Sequence, residues 1–273
     1  MPYALVTGAA KGIGKAIAKE LASRGYDLLI TDIDEKNLTI TEKEISRQYH
    51  RDVHSLELDL SEADAAETIL YWSQPFRNSL QIIVNNAGYG LNGSFAEIPI
   101  EKQLNIIDVN VKAQLRIAHA FIPVLKQFPK AHLLNVGSTT CYQSVPYLSI
   151  YAASKAFVIS FTRSLRYELR NTGIVVSCLS PGSTDTDFVN RAEMTVRTKN
   201  TAKKFNMTAD EVGKIAVDGL LRGKAEIIPG FTNKLNAFLP KFFPKAFVEK
   251  IAGNIYEPKA EIIKTDAAIA QQF

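Results

Sequence analysis

The sequence predicts an α/β fold: a single parallel sheet of about seven strands, doubly wound, with helices on both faces. Three observations carry that expectation. Short apolar runs rich in β-branched residues alternate with amphipathic stretches of helical period along most of the chain. The runs are continuously apolar, as strands covered on both faces must be. A glycine-rich turn joins the first run to the first helical stretch, where a parallel sheet turns from strand into crossover helix.

Each element follows from local pattern. Tyr3 to Thr7 reads as the first strand, Gly12 to about Arg24 as a helix, and Tyr26 to Asp32 as the second strand. Helical period resumes from Asp34 to about Tyr49, a strand follows over Val53 to Leu58, and Ser61 is the N-cap candidate for the next helix. After the strand Gln81 to Val84, a long helix is expected from near Ile100 to about Phe128, bent towards its end by Pro123. His132 to Val136 is the fifth strand, Ile150 to Arg170 a helix stopped by Asn171-Thr172-Gly173, and Ile174 to Leu179 the sixth strand. Thr208-Ala-Asp-Glu211 is a capping box opening a helix to about Leu221, and Glu226 to Ile228 is the candidate last strand.

With 273 residues, 46% hydrophobic and 22% charged, the chain can bury one substantial core, and it carries no internal repeat or linker. Its net charge of +4 comes from Lys and Arg spread among acids, so nucleic acid is not an expected partner. Cys141 and Cys178 stand far apart without metal-ligand spacing, which argues against both a disulfide and a metal site. The first strand begins at once, leaving no room for a signal peptide, and no apolar stretch approaches ~20 residues. Cytoplasm is the expected location.

Thr7-Gly8-Ala-Ala-Lys11-Gly12-Ile13-Gly14 lies between the first strand and first helix, where a turn without side chains lets backbone N–H groups approach a pyrophosphate. Asp32 falls 18 residues after Gly14, at the end of the second strand. A carboxylate there accepts hydrogen bonds from an adenosine ribose diol and repels a 2′-phosphate, which favours NAD(H). Lys11 argues for NADP(H), since a cation in the turn could meet that phosphate; the carboxylate is expected to prevail.

Tyr151 and Lys155 are four residues apart on one helix face. An ammonium ~5 Å from the phenol, at an effective dielectric of ~20, favours the phenolate by roughly 3 kcal/mol, so Lys155 is expected to lower the tyrosine's pKa by about 2 units. Such a pair alone is more often a surface contact than a catalytic one. Ser138, in Asn135-Val-Gly-Ser-Thr139 at the end of the fifth strand, lies at the carboxyl edge where open parallel sheets bind ligands.

Together the glycine turn, Asp59-Leu60-Ser61, Asn85-Asn-Ala-Gly88, Asn110, Ser138, Tyr151-x-x-x-Lys155 and Pro181-Gly182 resemble the classical short-chain dehydrogenases/reductases over about residues 3–190, all in order. The resemblance implies a Rossmann-type fold and an NAD(P)-dependent oxidoreductase. It makes Tyr151 the general acid and base, Lys155 the group that lowers its pKa and binds the nicotinamide ribose, Ser138 a donor to the substrate oxygen, and Asn110 the holder of a water between Lys155 and solvent. A buried polar residue bonding backbone is the plainer reading of Asn110. Gly8, Lys11, Gly12, Ile13 and Gly14 would hold the pyrophosphate, and Asp59 and Leu60 would lie beside the adenine. Asn86, Ala87 and Gly88 would line the cofactor, with Pro181, Gly182 and Thr184 over the nicotinamide carboxamide. Thr186 caps the following helix in an alternative reading, and Cys141 is expected to face the cleft without an assigned role.

On this reading residues 1–230 form the dinucleotide-binding catalytic domain, with a substrate loop at about 187–207, and residues 231–273 an extension packed on it. The expected reaction is hydride transfer between the cofactor and a secondary alcohol or ketone of an apolar small molecule. Phe238, Phe242, Phe243 and Phe247 interleave with Lys241, Lys245 and Lys250 in the extension, a pattern expected to form a lid over the cleft or to meet a partner subunit rather than a membrane surface. Glu257 to Phe273 reads as a frayed tail. A homodimer or homotetramer through the long helices is expected. The alternative function is a non-catalytic dinucleotide-binding sensor or scaffold whose final segment engages a membrane or partner; the complete Asn, Ser, Tyr and Lys set argues against it.

Overall fold

The computed structural model describes residues 1–186, 188, 192 and 207–258. Apolar runs at the expected places become β1 (Tyr3–Thr7), β2 (Asp27–Asp32), β3 (Val53–Glu57), β4 (Leu80–Asn85), β5 (Ala131–Val136) and β6 (Ile174–Leu179). The short strands β7 (Thr184–Asp185) and β8 (Met207–Thr208) pair with each other, and β9 (Glu226–Ile227) closes the main sheet. That sheet has seven strands in the order β3-β2-β1-β4-β5-β6-β9, and every neighbouring pair is parallel. Its winding reverses between β1 and β4, so the crevice at their carboxyl ends is where a ligand of such a sheet binds.

The helices are α1 (Gly12–Ser23), α2 (Glu35–Tyr49), α3 (Ala65–Trp72), α4 (Ile100–Ile107), α5 (Gln114–Leu125), α6 (Ser149–Glu168), α7 (Ala209–Leu221), α8 (Phe231–Phe238) and α9 (Lys245–Tyr256). Because successive strand residues point to opposite faces, β1 sends Val6 to one layer and Leu5 to the other. Val6 and Ile30 pack with Ile17, Leu38 and Leu220 from α1, α2 and α7; Leu5 and Ile83 pack with Ile69, Phe121 and Leu165 from α3, α5 and α6. This is the doubly wound architecture that the alternating pattern predicts.

Three local expectations are corrected. Ser61 does not cap the third helix: the Asp59 carboxylate accepts its N–H at 2.8 Å, forming a tight turn, and α3 begins only at Ala65. The long helix from Ile100 is interrupted by a π-turn at Asp108–Ala113 between α4 and α5, and it ends at Leu125, with Pro123 inside its last turn. Beyond Pro229, where no element was assigned, α8, a 3₁₀ turn (Leu239–Phe242) and α9 form. The capping box at Thr208 is present in both directions, Glu211 N–H to Thr208 Oγ1 and Thr208 N–H to Glu211 Oε2. Apart from Phe188, Ala192 and Met207, the expected substrate loop lies outside the described residues, as does the tail from residue 259. Both cysteines are free thiols. Among the described residues no helix is long and apolar enough to cross a membrane.

Candidate active site

A cleft of about 860 Å³ opens at the carboxyl ends of the central strands, and every candidate site residue except Asn110 lines it. Its polar end is built by the glycine turn. Gly8 has φ +66°, and a Cβ on Gly14 would stand 2.1 Å from the Gly8 carbonyl oxygen, so neither position tolerates a side chain. Asn86 staples this turn to the sheet: its amide donates to the Thr7 and Gly8 carbonyls at 2.9 and 3.0 Å, while Thr7 Oγ1 accepts the Asn86 and Ala87 N–H groups. Lys11 is the N-cap of α1 and makes no side-chain cap, so the first-turn amides of that helix point into the cleft. A bare backbone cradle at a helix N-terminus fits the pyrophosphate of a dinucleotide.

Both oxygens of Asp32 are held by backbone, Oδ2 by Ala10 N–H at 2.9 Å and Oδ1 by Asp34 N–H at 3.0 Å. This fixes the carboxylate at the end of β2, on the wall of the cleft. Lys11 forms an ion pair with Asp34. Its Nζ stands 2.8 Å from Asp34 Oδ2, and that hydrogen bond, helped by the Asn37 N–H, holds the Asp34 carboxyl down at about 2. Asp59 and Leu60 line the cleft near this end, and Pro181, Gly182 and Thr184 line it beyond β6. Thr186 packs on Gly12 and accepts the Phe188 N–H at 3.4 Å.

At the other end Tyr151 and Lys155 project from the first turns of α6. Tyr151 is 9% and Lys155 3% exposed. Lys155 Nζ donates to the Val136 carbonyl at 2.8 Å and stands 5.8 Å from the Tyr151 ring centroid. The expected net lowering of the Tyr151 pKa is not met. Burial dominates and pushes the phenol up to about 12, opposed by a hydrogen bond from Ser138, while burial pulls Lys155 down to about 8. The ammonium is held at the end of β5, 5.8 Å from the ring centroid, and does not outweigh that burial. Ser138 Oγ accepts from Thr140 N–H and Thr140 Oγ1 at 3.2 and 3.0 Å, which leaves its own proton for Tyr151 and the cleft.

Asn110 sits behind this group, fully buried in the π-turn. Its amide donates to the Tyr89 carbonyl at 2.9 Å and to Ser154 Oγ at 3.0 Å, and its oxygen accepts the Tyr89 N–H at 3.0 Å. The side chain is thus committed to protein partners, as the plainer reading has it. A Cβ on Gly88 would stand 2.9 Å from Asn110 Oδ1 and 3.1 Å from Lys155 Nζ, so Gly88 is what lets the two lie close together. Cys141 does not line the cleft. Its thiol turns towards β6 and β9, where burial, Cys178 and Glu226 push it up to about 12.

Two features were missed from sequence. A buried amide ladder crosses the sheet, Asn85 to Asn135 at 2.9 Å and Asn135 to Thr162 Oγ1 at 3.0 Å, tying β4 and β5 to α6. Tyr142, just past Ser138, bonds Glu226 of β9 and Ser180 Oγ. Partners so distant along the chain leave no local signal. The cleft wall next to Tyr151 is apolar, formed by Val145, Leu148, Phe188, Phe243, Val248 and Tyr256, with the Phe188 ring 5.2 Å from that of Tyr151.

Comparison with known proteins agrees with this geometry. The family described as short chain dehydrogenase matches residues 2–197. A sulfoacetaldehyde reductase 2 of Chromohalobacter salexigens is 33% identical over 186 residues, covering 67% of this chain and 73% of its own. The structure of a short-chain dehydrogenase from Sphingobium yanoikuyae in complex with NADPH superposes with a TM-score of 0.77 at 26% identity, over 96% of this chain and 97% of that one. A 7beta-hydroxysteroid dehydrogenase gives a TM-score of 0.81 at 25% identity over 92% and 96%. With the motifs, the sheet order and these relatives in agreement, the chain belongs to the short-chain dehydrogenase/reductase family, as an oxidoreductase that acts on CH–OH groups with a nicotinamide dinucleotide.

Proposed function

We propose that the protein interconverts a bulky apolar secondary alcohol and its ketone, with NAD(H) the preferred cofactor and Tyr151 the general acid and base. The observation that carries this reading is the convergence of Tyr151, Lys155 and Ser138 where the dinucleotide cradle meets the apolar end of one cleft. A bound nicotinamide supplies the donor or acceptor of the hydride. In reduction Tyr151, a phenol at neutral pH because burial holds it at about 12, gives its proton to the ketone oxygen. Ser138 donates to the same oxygen, so charge growing there meets two donors. Lys155, a cation below about 8, stabilises the phenolate left behind. Asn110 is a positioning residue that holds the π-turn and Tyr89 beside Lys155.

Asp32 supports NAD(H), and so does Asp34, which neutralises the one lysine inside the turn. Asp59 and Leu60 would flank the adenine, Ile13 and Gly12 the pyrophosphate, Ala87 and Gly88 the nicotinamide ribose, and Pro181, Gly182 and Thr184 the carboxamide. Among the described residues the wall around Tyr151, with Val145, Leu148, Phe188 and Tyr256, is apolar, which supports an apolar substrate. Residues 1–230 would be the catalytic domain and residues 231–273 its extension, of which the described part to residue 258 lines the same cleft, in a cytoplasmic enzyme. A screen of alcohols and ketones followed by nicotinamide absorbance tests the reading together with Tyr151→Phe. That variant should lose about 10³-fold in turnover with NADH affinity within about twofold of wild type; near-normal turnover would remove Tyr151 from the mechanism.

A further inference from the structure

Helix α8 is turned inside out. It buries Asn233 and Ala237 and exposes Phe231, Leu235 and Phe238, the first at 82%. A helix packed only for burial would present the opposite set. Its orientation is fixed, because Asn233 donates to the Pro229 carbonyl at 2.8 Å and packs so tightly on Gly182 that a Cβ there would meet Asn233 Oδ1 at 2.1 Å.

The outward residues form a continuous strip. Leu235, Phe238, Leu239 and Phe242 recur at helical spacing, and Phe238 and Phe242 meet edge-on at 4.9 Å. The strip continues through Phe243, Phe247 and Ile251, which are exposed on one side and line the mouth of the cleft on the other. Lys234, Lys241, Lys245 and Lys250 are all exposed along it, against one acid, Glu249, between residues 231 and 256.

We propose that this face docks on an anionic lipid surface and sets the mouth of the cleft at the lipid boundary. Charge selects the occupant. A two-fold contact with a second copy would place these lysines against themselves, whereas anionic headgroups match them while the phenylalanines enter the acyl boundary. The docking is read from this face alone; only its consequence, that an apolar substrate enters from the lipid, rests on the dehydrogenase reading.

Co-sedimentation of the full chain with phosphatidylcholine vesicles, with and without phosphatidylserine, tests this. Wild type should bind the phosphatidylserine vesicles, and about tenfold less at high salt or without the anionic lipid. Phe238→Ser with Phe242→Ser, and separately Lys241→Glu with Lys245→Glu, should each weaken binding about tenfold or more. None of these four side chains lines the cleft, so unchanged NADH binding certifies each variant's fold. The proposal is overturned if wild type ignores both vesicles, if neither variant changes binding, or if the phenylalanine pair instead dissolves a dimer that binds no vesicle. Vesicle binding needs no turnover, so this failure is distinct from failure of the Tyr151→Phe test.

Discussion

Lys11 and Asp34 decide what the glycine turn offers a ribose. With Asp34 held at about 2, the pair stays ionised over the working range of pH, and the lysine cation is satisfied before any phosphate arrives. Asp34 is also the N-cap of α2, accepting the Asn37 N–H, and asparagine caps as well as aspartate. Asp34→Asn should therefore keep the fold while removing this ion pair, lowering KM for NADP(H) roughly three- to tenfold. Asp32→Ala should move the ratio of catalytic efficiencies towards NADP(H) by about tenfold or more. If both ratios stay at wild type, cofactor choice is made elsewhere. Lys155 carries the pH dependence. Its pKa lies below the ordinary value, so between about 8 and 10.5 the folded enzyme has lost a cation that a free lysine keeps. Ketone reduction should hold level below pH 8 and fall about tenfold per unit above it, with Tyr151 contributing nothing until about 12. A rate that rises from pH 8 to 10 would contradict this assignment.

The π-turn between α4 and α5 is the element that seats Asn110, since one extra residue in the ring rotates its amide into reach of Tyr89 and Ser154. Asn110→Ala removes three buried hydrogen bonds at about 1 kcal/mol each, and a melting scan should show Tm lower by roughly 6–12 °C. An unchanged Tm would make the turn self-supporting. The same element marks where the sequence stops being legible. The main-sheet strands, α1, α2, α6 and the capping box of α7 follow from period and local chemistry, and the residues of the polar end of the cleft follow from motif order. Asn110 was named, but the turn around it was not, because its cause lies in Tyr89 and Ser154, 21 and 44 residues away. Ser61 failed as a cap because it sits in the Asp59 turn, four residues before α3 begins at Ala65. Helices α8 and α9 were invisible because Pro240 and Pro244 break the period and the apolar residues face outward, so pattern no longer reports burial.

At the scale of the whole molecule, a second apolar surface lies away from the cleft's phenylalanine rim. Ile100 and Leu104 of α4 are each about half exposed, at 51% and 55%, one turn apart. On the neighbouring α6, Phe157 is exposed at 42% and stacks on Phe161 with ring centroids 6.1 Å apart. Unlike the strip on α8, this one carries mixed charges, Glu101 and Lys102 on α4 with Glu168 on α6, so two copies can meet face to face without a single-sign repulsion. The homodimer expected from the long helices would use this surface, four helices meeting about a two-fold axis. A stable contact of that kind buries about 1,600 Å² in total, more than the eight-residue α4 and its copy supply alone, so all four helices must take part. Phe157→Glu with Leu104→Glu should then yield a monomer by sedimentation velocity, with vesicle binding retained because the lipid-facing strip is untouched. A wild-type monomer at micromolar concentration, or a dimer that survives both substitutions, would exclude this surface as the subunit contact.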